Sequence, residues 1–230
     1  MNRFRRSQAL PRYAMCHRAL RGTPLQVPAE LLTTASVAEW VRRRGVGVDV
    51  SGAEQLRLAL EAGLPAARVA AQCSDAATVE AAMAAAVGRY VISTWSDVML
   101  IANRQAATPR VVVDVTEATG ERLAASVVGM ARLDVVGLRC RVLGDDMDGG
   151  VAGAAVRTMI EQMARLRRAH GVIMTRACLS GFGRCGAEAA ELRDGVHQLQ
   201  LAVEDACAEL RYPRPALVLS LDAAALIGAG

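Results

Sequence analysis

The side chains able to do chemistry in this sequence are six cysteines, three histidines and a set of cations that is entirely arginine. All 27 Lys+Arg positions are Arg, so the 230 residues contain no lysine. An enzyme whose essential imine-forming amine is a lysine of this chain is therefore excluded, as is a phosphate loop built on lysine. Cys16 is followed by His17 and Arg18, neighbours that can lower a thiol pKa, which makes it the candidate nucleophile. The competing reading of Cys16 is a small buried thiol that fills space. Arg139, Arg141, Arg176 and Arg184 can grip phosphate or carboxylate bidentately, or pair with Asp145, Asp146 and Asp148. In Ser180-Gly181-Phe182-Gly183, backbone N–H groups can cradle an anion. Cys73, Cys140 and Cys178 fall near expected strand ends but form no Cys-x2–4-Cys pair, so no metal site is expected. His170 and His197 read as helical surface or structural residues.

These groups need elements to position them, and the sequence alternates regularly. β-Branched runs stand at Arg12–His17, Val46–Val50, Arg68–Gln72, Tyr90–Thr94, Arg110–Val115, Asp134–Val142, Val172–Leu179 and Ala216–Leu221. Between them the apolar spacing is helical, as in Val156, Met159, Ile160, Met163 and Leu166, and Gly63 and Pro65 end the segment that starts at Ala53. Continuous apolar strands such as Val111-Val-Val113 are what a parallel sheet covered by helices requires. Eight such units in 230 residues predict an α/β protein, a single (β/α)8 TIM barrel over 1–230, with a doubly wound open sheet as the alternative. Site residues then belong at the C-terminal ends of the strands.

Composition narrows the partners. The chain is 53% hydrophobic, with a net charge of +4, and its 44 alanines suit close-packed helices. The arginines are dispersed among 23 acids, and 3% aromatics is a poor supply for base stacking, so nucleic acid is not expected. No apolar run approaches the roughly 20 residues that cross a bilayer, and the basic Met1–Tyr13 segment lacks the apolar stretch of a secretory signal. Single, unpaired cysteines add an expectation of a reducing, cytoplasmic setting.

One stretch carries a resemblance. Gly45-Val-Gly-Val-Asp-Val-Ser-Gly-Ala-Glu-Gln-Leu-Arg-Leu-Ala-Leu-Glu-Ala-Gly-Leu-Pro-Ala-Ala-Arg-Val69 resembles the second strand and helix of diaminopimelate and ornithine decarboxylases, the fold-type III pyridoxal-phosphate enzymes, which share an alanine racemase-like barrel. Tyr13-Ala-Met-Cys-His-Arg18 resembles that family's Tyr-Ala-Val-Lys-Ala-Asn strand, and Val136-Gly-Leu-Arg-Cys-Arg-Val142 its Val-Gly-Leu-His-Cys-His-Ile. Leu179-Ser-Gly-Phe-Gly183 lies where the family has its phosphate loop, and Pro215 to Gly230 where it closes the barrel. The resemblance implies a pyridoxal-phosphate-binding barrel in which Cys16 stands at the position of the cofactor lysine. It further implies that Arg141 replaces the ring-stacking histidine, that Ser220 replaces the glutamate at the pyridine nitrogen, and that Ala223 replaces an arginine. Asp49, Gly181 and Gly183 are retained by it as cofactor-binding positions, and Ser180, which with Phe182 interrupts the glycine run of the phosphate loop, is assigned to cofactor binding with them. Ser51 and Glu54 also match, although a capping box with Ser51 as cap explains both without any site. The family's C-terminal β-domain has no counterpart, so no separate β-domain is expected.

The resulting expectation is a degenerate member, a pseudoenzyme without decarboxylase activity. It would hold pyridoxal phosphate non-covalently at most, bind a small anionic or amino-acid-like ligand, or act as a partner or regulator of a homologous decarboxylase in a homo- or hetero-oligomer. The alternatives are an active lyase or racemase-like enzyme with altered chemistry, including one with a lysine supplied by another chain, and a single-barrel pyridoxal-phosphate homeostasis protein.

Overall fold

Strand and helix alternate because apolar runs too short to form helices are separated by segments that bury one helical face. The computed structural model describes residues 3–20, 22–103, 108–142, 150–182 and 188–221, with the backbone alone for 3–10. A helix α1 (Arg3–Ala19) precedes strand β1 (Leu25–Pro28), which leads through a 3-10 turn (Ala29–Thr33) into α2 (Ala35–Arg44). Then follow β2 (Gly47–Val50), α3 (Ala53–Glu61), β3 (Val69–Gln72), α4 (Ala76–Ala84), β4 (Arg89–Ile92) and α5 (Trp95–Ala102). The second half supplies β5 (Arg110–Asp114), α6 (Ala118–Val127), β6 (Asp134–Arg141), α7 (Gly150–His170), β7 (Arg176–Phe182), α8 (Ala189–Leu210) and β8 (Ala216–Leu221). Neighbouring strands pair in parallel in chain order, and β8 returns to β1, so the sheet is a closed (β/α)8 TIM barrel. No helix among the described residues is long and apolar enough to cross a membrane.

Alternation along each strand divides the interior into two apolar regions. Outward-facing Val27, Val48, Val69, Val111, Val113 and Leu219 join the helices in the main core. A smaller cluster of Ala70, Val91, Val112, Val136, Cys178 and Val218 plugs the barrel lumen. The register between β5 and β6 shifts at Val111/Val112. Gly137 sits at that irregularity, and a Cβ there would lie 2.3 Å from the Arg176 carbonyl oxygen. Gly137→Ala forces two backbones apart and is expected to cost about 3 kcal/mol, measurable as a lower denaturant midpoint at unchanged slope.

The first expected strand is wrong. Arg12–His17 belongs to α1, whose buried Tyr13, Cys16 and Leu20 recur at helical spacing. Tyr13 and His17 both meet the Trp40 ring of α2, at centroid distances of 5.8 and 5.3 Å. The true first strand begins thirteen residues on, beyond the Gly22–Pro24 break. The seventh strand is also displaced. It begins at Arg176 rather than Val172, because the preceding segment is held elsewhere: Met174 N donates to Tyr212 Oη at 2.8 Å, and Tyr212 Oη donates back to the Met174 carbonyl.

Candidate functional site

The C-terminal mouth gathers polar side chains on inward positions of successive strands. Asp49 is the third residue of β2, and Arg139 reaches it across the lumen from β6 with an N–O separation of 4.0 Å. Each side chain is about four-fifths buried, so this is an interior ion pair rather than a surface one. Gln72 of β3 donates to Ser93 Oγ at 2.8 Å after β4. Arg141 N donates to Thr116 Oγ1 at 2.8 Å, and that hydroxyl donates to Asp114 Oδ1 at 2.6 Å, which ties the ends of β5 and β6 together. The Arg141 guanidinium is exposed and has no ion pair among the described residues. As expected for inward Arg139 and Arg141, Cys140 between them packs against the outer core.

Ser180 and Ser220 face each other in the register of β7 and β8, both buried. Ser180 Oγ donates to the Cys140 carbonyl at 3.5 Å. Gly181 follows in the left-handed region with φ +77°, at a register shift between Ser180 and Phe182. A Cβ there would stand 2.4 Å from the Val142 carbonyl oxygen, so only glycine fits. Gly183, Arg184, Ala223 and the loop carboxylates Asp145, Asp146 and Asp148 lie outside the described residues.

Three expectations need correction. Cys16 is on α1, buried in the layer between barrel and helices, and does not stand at the end of a strand. The residue that ends β1 is Pro28, inward by alternation with outward Val27 and in register with Asp49. Second, α3 has no Ser51 cap. Gly52 is its N-cap, Ser51 N and Oγ both donate to Gln55 Oε1, and Glu54 pairs with Arg57. Third, Arg176 opens β7, so it lies at the N-terminal end of the barrel and not at the mouth. His170 and His197 are exposed on α7 and α8.

The thiols are not activated. Burial pushes Cys178 up to about 11 although Arg89, Arg139 and Arg176 pull it down, and burial raises Cys73 to about 12. Cys16 is raised by burial too. Iodoacetamide at pH 8 is therefore expected to leave these three thiols unmodified in the native protein and to alkylate them after denaturation, as read by peptide mass spectrometry. Rapid native labelling of Cys16 would restore it as a nucleophile. No cluster of three or more His, Cys, Asp or Glu among the described residues is placed to hold a metal ion.

The pyridoxal phosphate implied by the sequence resemblance does not fit as an imine-linked group. The chain has no lysine, β1 ends in proline, and Cys16 is walled off from the mouth. Ser220, an uncharged hydroxyl, cannot keep a ring nitrogen protonated as a carboxylate does.

No protein-family model and no curated protein matches the chain. Solved structures do. Diaminopimelate decarboxylase from M. jannaschii superposes with a TM-score of 0.80 at 12% identity, over 94% of this chain and 59% of that one. Lysine/ornithine decarboxylase from Vibrio vulnificus, complexed with cadaverine, gives 0.78 at 13% identity, over 94% and 60%. Diaminopimelate decarboxylase from Helicobacter pylori, complexed with L-lysine, gives 0.77 at 14% identity, over 94% and 61%. The chain thus spans about three-fifths of the length of these enzymes. What it has in common with them is the fold, the eight-stranded parallel barrel of the diaminopimelate and lysine/ornithine decarboxylases.

Proposed function

We propose that this chain is a decarboxylase-type barrel that does not decarboxylate and instead binds a small anionic or amino-acid-like ligand at the C-terminal mouth. The observation that carries the reading is Pro28. It stands at the inward end of β1, beside Asp49, in a chain with no lysine to substitute for it. Arg141 presents an exposed guanidinium to the mouth, and Gly181 turns the β7 backbone there. Both features suit an anion held by a forked donor and backbone N–H groups. Pyridoxal phosphate, if it binds, is held by its charge and not through a covalent bond.

The purified protein is mixed with pyridoxal phosphate, scanned for absorption, reduced with borohydride and digested for mass spectrometry. The expected result is no reduced adduct on any side chain, the terminal amine aside. A stoichiometric adduct elsewhere would overturn the proposal and favour a working lyase.

A further inference from the structure

The opposite end of the barrel holds a feature that the reading above does not use. A cavity of about 420 Å³ opens at the N-terminal ends of β1, β2, β4 and β7. Its wall includes His17, Gln26, Arg44, Arg68, Arg89 and Arg176, and no Asp or Glu among the described residues lines it. We propose that this cavity is a binding site for a small phosphate monoester.

The charge balance is the first argument. Arg44, Arg68, Arg89 and Arg176 place four cations around one space, and none of them forms an ion pair among the described residues. Arg89 and Arg176 are partly buried and repel each other, and burial followed by this repulsion draws the Arg89 pKa downward. Arg44 and Arg68 are exposed at the rim, whereas the part-buried Arg89 and Arg176 are costly without an anion to neutralise them. The Arg68 guanidinium lies against the Gly45 backbone, where a Cβ would stand 3.0 Å from its Nη1, and that Nη1 donates to the Arg42 carbonyl at 3.5 Å.

The second argument is independent of charge. Gln26 is only 4% exposed, lines the cavity, and its Nε2 has no hydrogen-bond partner. Arg176 Nε is buried and likewise unpartnered. Two unused buried donors on one wall call for an acceptor. A phosphate monoester brings three acceptor oxygens and close to two negative charges at neutral pH, which matches this surplus better than a single carboxylate. The volume lies within the range of small-molecule pockets, so the ester substituent fits beside the phosphate.

The probe is glycerol 3-phosphate, titrated calorimetrically into the whole chain, with glycerol and chloride at matched ionic strength as controls. Saturable binding is expected for glycerol 3-phosphate alone. Arg89→Met and Arg176→Met are expected to weaken it about tenfold or more, and Gln26→Leu less. Both arginine variants relieve repulsion, so their melting temperatures should equal or exceed that of the parent, which separates lost binding from lost fold. Arg193→Ala, on the exposed face of α8, should bind as the parent does. Loss of binding in Arg141→Ala, with Arg176→Met unaffected, would move the anion to the C-terminal mouth and overturn the proposal. In the unsubstituted protein, glycerol 3-phosphate should also protect the Arg89 and Arg176 peptides from phenylglyoxal. Absence of saturable binding or of protection overturns it equally.

Discussion

Pro28→Lys is expected to turn a protein that traps no pyridoxal phosphate into one that carries a borohydride-reducible adduct at position 28, whereas Cys16→Lys is expected to trap none. The contrast follows from placement alone. Pro28 has extended backbone angles, φ −70° and ψ 142°, which lysine adopts without strain. It lies on the inward face of β1 with Asp49 as its register neighbour. A lysine there would emerge near a carboxylate already shared with Arg139. Imine formation needs the neutral amine, and a lumen holding Arg89, Arg139 and Arg176 against Asp49 lowers the pKa of an added ammonium. Cys16 is 3% exposed in the shell between α1 and the barrel, and a lysine there has no path to the mouth. Mass spectrometry of the reduced digests separates the two. An adduct on the Cys16→Lys chain, or none on Pro28→Lys with parental melting behaviour, would refute the assignment of position 28.

The same two residues show what the sequence could and could not yield. The barrel was legible because seven of its strands are short β-branched runs separated by helical spacing, and closure is the usual outcome of eight such units. The first strand was hidden. Leu25-Gln-Val-Pro28 is four residues long and ends in proline, while Tyr13-Ala-Met-Cys-His imitates a strand motif although its buried residues are three and four apart. The spacing of Tyr13, Cys16 and Leu20, followed by the Gly22–Pro24 break, was the available signal. Arg176 was misplaced for a related reason. Val172-Ile-Met-Thr175 has the composition of a strand, yet its Met174 backbone groups are taken up by Tyr212, thirty-eight residues away. The N-terminal cavity depends on that register and was therefore invisible. The ion pair across the lumen needs a closed barrel, so neither Asp49 nor Arg139 announces the other in the sequence.

That pair gives the second large effect, through an asymmetry. Asp49→Asn is expected to destabilise the protein by about 3 kcal/mol, and Arg139→Met to be near neutral or stabilising. Both changes delete the same contact, so a simple count of interactions predicts equal losses. The surroundings decide otherwise. Arg89, Arg139 and Arg176 converge on Cys178 with Asp49 as the one anion that Cys178 also senses. Removing Asp49 leaves Arg139 uncompensated while it still faces the other guanidiniums. Removing Arg139 instead leaves Asp49 within the field of Arg89, which it already stabilises. It also eliminates a buried Nε that has no hydrogen-bond partner, and the methionine stem occupies much of the vacated volume. Denaturant titration of the two variants and of the double variant measures this directly, since the coupling energy isolates the pair from its neighbours. Equal destabilisation by both single variants would mean that the lumen charges act pairwise and that the surplus of arginine has no energetic consequence. A larger loss for Asp49→Asn, recovered when Arg139→Met is added, shows that the barrel interior is held at a net positive charge by one carboxylate. That condition also makes the lumen and its N-terminal cavity attractive to an anion.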